Sequence, residues 1–175
     1  MRFQDIEQFI GIGTYEVDVM LPYLNDMLKG YEKHYTVTLN PDFQRGHVWT
    51  KEQQIKYIEF FLQGGKSART IYFNCPAFGG VTGIDIDTNE LVCVDGLQRM
   101  LALLSFTNDS LKVFGHYYSE YEDKPRDSTM KIKFNINCLR TKKEVLKWYL
   151  QLNTGGTPHS ESEINRVQQM LNKLD

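Results

Sequence analysis

Apolar and polar residues recur along this chain in two rhythms, one with the spacing of helices and one with the alternation of strands. Leu21, Leu24, Leu28 and Tyr31 recur at helical spacing, and Gly30 stands where such a helix would stop. "YTVTL", Tyr35 to Leu39, alternates like a short strand. It runs into "NPDF", a turn signal, because Pro41 biases Asn40 away from helical dihedrals. Thr50 with Gln53 forms a capping-box pattern, and Ile55, Ile58 and Phe61/Leu62 extend an apolar stripe to Gly64-Gly65. "TIYFN" (Thr70 to Asn74) and "LVCV" (Leu91 to Val94) read as strands, with a Gly- and Asp-rich loop or hairpin tip from Gly79 to Glu90. A helix from Gly96 to about Phe106 follows. "KIKFNINCL" then alternates strictly, with Ile132, Phe134, Ile136 and Cys138 on one face. Thr141 with Glu144, and Ser160 with Glu163, are capping boxes that open two last helices. Strands and helices mix without a regular βαβ repeat, which predicts an α+β fold.

Composition narrows the class. At 175 residues, 41% hydrophobic and 24% charged, the chain has the make-up of one globular domain with a real core, residues 1–175. No internal repeat or low-complexity tract divides it. The net charge of −2 provides no global basic field, so any contact with nucleic acid must come from a local patch. No apolar run approaches the roughly 18 residues that cross a bilayer. The N-terminus, "MRFQDIEQFIGIG", carries acids where a signal peptide is basic and then apolar. A cytoplasmic protein without a membrane partner is the expectation. Cys75, Cys93 and Cys138 lack the Cys-x-x-Cys pairing of a zinc site and read as buried thiols in a reducing compartment.

The chemistry concentrates in "LVCVDGLQRMLALLSF", Leu91 to Phe106. A helix that starts near Gly96 points unpaired N–H groups beyond the strand end, and such an end attracts anions. Gly96 permits a sharp turn and a close backbone approach. Arg99 can add a forked, charge-assisted contact to a phosphate, and Gln98 offers a donor and an acceptor. Arg99 lies on the first turn, where it adds little to a core of Leu101, Leu103, Leu104 and Phe106. Asp95 suits three roles: an N-cap, a clamp on Arg99, or a ligand to a metal that accompanies a nucleotide. From the spacing alone, a capped helix with a surface Asp–Arg pair accounts for the junction at least as well.

Two further polar turns belong beside it. "NPDFQRGHVWTKEQQ" carries a second Gln-Arg pair, Gln44-Arg45, and "LNTGGTPHSESE" carries Asn153, Thr154, Gly155, Gly156 and Thr157 without the lysine of a P-loop. In this order the three turns resemble the N-terminal ParB/sulfiredoxin-like domain of the GmrSD-type modification-dependent restriction proteins. The resemblance runs from about Val17 to Leu171. It implies a small mixed sheet with packed helices, and a motif-bearing core at about residues 35–157. It also implies a nucleotide site that binds and hydrolyses NTP, with or without Mg2+. By matching position, Asp95 would be catalytic. Gly96, Gln98, Arg99, Gln44, Arg45, Asn153, Gly155 and Gly156 would bind the nucleotide and its phosphates. The commonest form of the central motif has a polar residue where this chain has Leu97. The HNH-type nuclease domain that often follows in the family is not expected within these 175 residues.

Other residues read more plainly. His47 and His116 have no neighbours at ligand spacing and are expected to be surface or satisfied loop histidines. Trp49 is expected to plug the core, and "YYSEYED" to be a solvated loop. Lys131, Lys133, Lys142, Lys143 and Lys147 form the one candidate basic patch, either a salt-sensitive DNA footprint or a solvated face. Three functions are therefore carried forward: an NTP-hydrolysing domain, a DNA- or protein-binding module that acts with a partner nuclease or defence protein, and an inhibitor or decoy of a host defence nuclease.

Overall fold

The computed structural model describes residues 1–2, 5–6, 15–123, 130–153 and 161–174. Strands form where β-branched and aromatic residues alternate with polar ones. They are β1 (Tyr15–Met20), β2 (Thr36–Thr38), β3 (Thr70–Asn74), β4 (Glu90–Asp95) and β5 (Lys131–Asn137). The helices are α1 (Leu24–Glu32), α2 (Lys51–Leu62), α3 (Leu97–Thr107), α4 (Lys142–Asn153) and α5 (Glu161–Asn172). The strands make one five-stranded mixed sheet in the order β1-β5-β3-β4-β2. β1 is antiparallel to β5 and β3 to β4, whereas β5 with β3 and β4 with β2 run parallel. The fold is α+β, consistent with a ParB-like domain.

Alternation along β4 assigns the two faces of the sheet. Leu91 and Cys93 face a core shared with Ile71, Phe73, Ile132, Phe134 and the buried sides of α1, α2 and α3. Val92 and Val94 face a second core, built from Phe43, Val145, Leu146, Trp148, Tyr149, Val167 and Leu171 of the first-motif turn, α4 and α5. On that second face β5 turns polar. Lys131 pairs with Asp18 at 2.5 Å and Lys133 with Glu16 at 2.6 Å across to β1.

Two of the capping boxes are made in full. The Gln53 N–H donates to Thr50 Oγ1 at 3.2 Å while the Thr50 N–H donates to Gln53 Oε1 at 2.9 Å. The Glu144 N–H donates to Thr141 Oγ1 at 3.2 Å, and the Thr141 N–H returns to Glu144 Oε2 at 3.0 Å. Ser160, the first half of the third box, lies outside the described residues.

The structure departs from the sequence pattern in four places. α1 runs through Gly30 to Glu32, because the Tyr31 ring packs 5.8 Å from Phe78 and holds the last turn. β1 was unforeseen, although "YEVDVM" alternates; its charged residues match the lysines of a strand far along the chain. Tyr118 is buried against Phe106 rather than solvated. The helix after the central turn begins at Leu97, with Gly96 as its N-cap. Trp49 packs 5.4 Å from Tyr57 against the first core, and His47 is bonded through Nε2 to the Gln54 amide at 3.1 Å. Cys75 and Cys93 are buried free thiols and Cys138 is partly buried; burial pushes the first two up in pKa.

Candidate functional site

At the end of β4 the backbone turns through Gly96 with φ +100°, a left-handed conformation that side chains disfavour. A Cβ there would stand 2.8 Å from Ile71 Cδ1 and 3.2 Å from Arg99 Nη2. The glycine is thus required by its dihedral and by close packing, and the space that it leaves is filled from within the protein. Asp95 caps nothing. Its Oδ2 accepts from Arg99 Nη2 at 2.5 Å, and Arg99 Nη1 donates to the Thr70 carbonyl at 2.6 Å. Of the three roles open to Asp95 in the sequence, the clamp on Arg99 is the one formed. Both terminal nitrogens of Arg99 are engaged and its side chain is 17% exposed, so this arginine ties β3, β4 and α3 together.

The two glutamines join the first turn to the central one. Gln44 Nε2 donates to the carbonyls of Val94 at 3.0 Å and Cys93 at 3.2 Å. Gln98 Oε1 accepts from the Val48 and Trp49 N–H groups at 3.0 and 3.1 Å, while its Nε2 donates to the Gly46 carbonyl at 2.6 Å. Residues 44–49 and 93–98 are therefore joined into one hydrogen-bonded unit.

Arg45 behaves differently from Arg99. Its Nε lies 3.3 Å from Glu163 Oε2, and its side chain is 36% exposed against 4% for the glutamate. Among the described residues its Nη atoms bond nothing else. The Tyr149 hydroxyl donates to Glu163 Oε1 at 2.8 Å. Burial above all pushes the Tyr149 phenol up in pKa, helped by its bond to Glu163 and by the negative charges of Glu163 and Asp95, and opposed by Arg45. A hydroxyl that feels both Arg45 and Asp95 brings α4 to the same place as the first two turns. Arg166, one turn beyond Glu163, donates to the carbonyls of Asp42 at 2.9 Å and Phe43 at 2.6 Å. Of the third turn, Asn153 ends α4 with its amide on the Tyr149 carbonyl at 2.7 Å; Thr154, Gly155, Gly156 and Thr157 lie outside the described residues.

Sequence reasoning missed Tyr149, Glu163 and Arg166. Glu163 was visible only as the second half of a capping box, and no local pattern connects it to Arg45.

A cavity of about 350 Å³ lies beside the first turn, lined by Asp42, Asp87, Glu90 and Lys142 over Phe43 and Val92. Three carboxylates against one ammonium repel phosphate, so this cavity is not a counterpart of the junction. The candidate basic patch is also quenched in part. Lys131, Lys133 and Lys142 each lie against a carboxylate, of Asp18, Glu16 and Asp42. Among the described residues no three His, Cys, Asp or Glu side chains gather to hold a metal, and no helix is long and apolar enough to cross a membrane.

No curated protein and no solved structure matched the chain. One family model did, over residues 24–168, and that span includes the first and central turns, Tyr149, Glu163 and Arg166. This chain belongs to the family described as the GmrSD restriction endonuclease, N-terminal domain.

Proposed function

We propose that this domain binds a nucleotide through its phosphates at the β4–α3 junction and acts by that binding in the restriction of modified DNA. The family supports the restriction role. The observation that carries the nucleotide reading is Arg45, a guanidinium 36% exposed beside the junction that, among the described residues, is held only through Nε. A forked guanidinium matches two phosphate oxygens. α3 begins at the same junction, and the field of a helix N-terminus favours an anion. Gln44, Gln98, Gly96 and Arg99 act from behind by fixing the two turns against each other; Asn153 is assigned to the site by its motif position, as are Gly155 and Gly156, which lie outside the described residues.

Asp95 supports the accompanying metal. Its Oδ1 makes no bond among the described residues. A Mg2+ that travels with a nucleotide is held mainly by phosphates and water plus one or two carboxylates. Asp95 supplies one such carboxylate. A second reading, binding without hydrolysis, is favoured by the Asp95–Arg99 bond, because that bond already engages Oδ2 of Asp95. Phosphate release separates the two. In the hydrolytic reading Asp95→Asn abolishes release and leaves most of the binding intact.

Titration calorimetry with each NTP, with and without Mg2+, tests the shared claim. Arg45→Ala is expected to weaken binding by about 1.5–3 kcal/mol, the scale of hydrogen bonds to charged groups. A wild-type domain that binds no NTP under either condition overturns the reading.

A further inference from the structure

We infer that Glu163 and Tyr149, which lie outside the three motif turns, are positioning residues that hold Arg45 ready for an anion. The inference rests on the phosphate reading of the junction. A free arginine samples many rotamers and loses that freedom when it binds. Here the side chain is already restrained, since Glu163 Oε2 sits 3.3 Å from Nε. That contact occupies one edge of the guanidinium and leaves the Nη1/Nη2 fork for two oxygens of a ligand.

The glutamate is itself fixed. It is 5% exposed, its other oxygen accepts the Tyr149 hydroxyl at 2.8 Å, and Val167 and Leu171 bury the same helix in the second core. Arg166 fastens α5 to the Asp42 and Phe43 carbonyls, so the carboxylate and the arginine that it orients sit on two segments already bound together. Arg99 makes the contrast: Nη1 is bonded to Thr70 and Nη2 to Asp95, so both terminal nitrogens are already turned inward.

Orientation and field act in opposite directions, which makes the idea testable. A nearby carboxylate repels phosphate, so a merely electrostatic Glu163 would weaken binding and its removal would strengthen it. A positioning Glu163 does the reverse, most clearly at high salt, where the solvent-exposed part of the field is screened.

The full chain is titrated with ATP at low and high salt, and the Arg45 Nε–Hε signal is followed by nitrogen-15 NMR. In the wild type that signal is expected to exchange slowly, because the buried Glu163 carboxylate covers that edge of the guanidinium. Glu163→Ala should lose it and weaken ATP binding about tenfold at high salt, about 1.4 kcal/mol for the lost restraint. Glu163→Gln keeps the shape of the side chain and its bond with Tyr149 but loses the charge paired with Arg45, and should fall between the wild type and Glu163→Ala in both readouts. Tyr149→Phe removes one hydroxyl from a well-packed ring and should shift both readouts in the direction of Glu163→Ala. It keeps the test alive where the alanine variant fails to fold. Unchanged or tighter ATP binding in Glu163→Ala and Tyr149→Phe, with only the melting temperature lowered, overturns the positioning role. If Arg45→Ala also binds as the wild type does, or the wild type does not bind at all, the phosphate reading itself has failed and this inference falls with it.

Discussion

Gln98 uses both ends of its amide on the backbone of the first-motif turn, so its removal orphans two N–H donors and one carbonyl. Gln98→Leu is therefore expected to cost about 1–3 kcal/mol, read from urea unfolding, even without a ligand. Arg99→Ala should cost a similar amount, because it leaves Asp95 and the Thr70 carbonyl without their partner in a partly buried setting. This reverses the expectation that a first-turn arginine matters little to folding. Gly96→Ala forces a left-handed side chain against Ile71, and a loss of more than about 1 kcal/mol is expected. Tyr57 supplies a pH test. Burial raises its phenol from 10.0 to about 12, against the opposing charges of Arg99 and Arg69. Below pH 10 the phenol is neutral in both folded and unfolded chains, so its contribution is fully present there. As pH rises from 10 towards 12 the unfolded chain ionises first, and stability falls by about 2–3 kcal/mol. Tyr57→Phe should flatten that alkaline slope in a series of melts.

At the scale of elements, α5 is held by few contacts of high quality. Val167 and Leu171 bury one stripe, while Arg166 and Glu163 reach across to the first-motif turn. Arg166→Ala removes both links to the Asp42 and Phe43 carbonyls and leaves the stripe in place. Amide exchange in α5 should then accelerate, with α2 on the opposite face unchanged. Equal acceleration in both helices would mean that α5 and the first core unfold as one unit. α2 depends instead on its own start. Thr50→Ala removes the side-chain half of a complete capping box, and about 1 kcal/mol of stability is expected to go with it.

Across the whole molecule, one sheet separates two cores, and the candidate site sits where both meet the end of β4. Charge is arranged less simply than the sequence suggested. The net charge is −2, and the strand lysines of the candidate basic patch stand in cross-strand pairs with Glu16 and Asp18. Affinity for DNA is accordingly expected to be modest and to fall with salt along a shallow slope of few released counterions. Lys131→Ala with Lys133→Ala should leave that affinity unchanged in a gel-shift series. A steep loss in the double variant would return the footprint to this face.

Much of the fold could be read locally. β3 and β5 declare themselves through period-two alternation, and the caps at Thr50 and Thr141 through residues three apart, because these signals depend on neighbours a turn or a pleat away. The Gln-Arg pairs and the Asp-Gly turn were equally legible, and so was the family. The sequence by itself thus determined the fold class and where polar chemistry would gather. Tertiary structure decided what each polar group does there. It gave Asp95 to Arg99 rather than to a cap, made Gln44 and Gln98 braces between distant turns, and set Glu163 and Tyr149 behind Arg45. A polar side chain bonds whichever partner packing brings within about 3 Å. That partner can come from anywhere in the chain, and no local pattern records it.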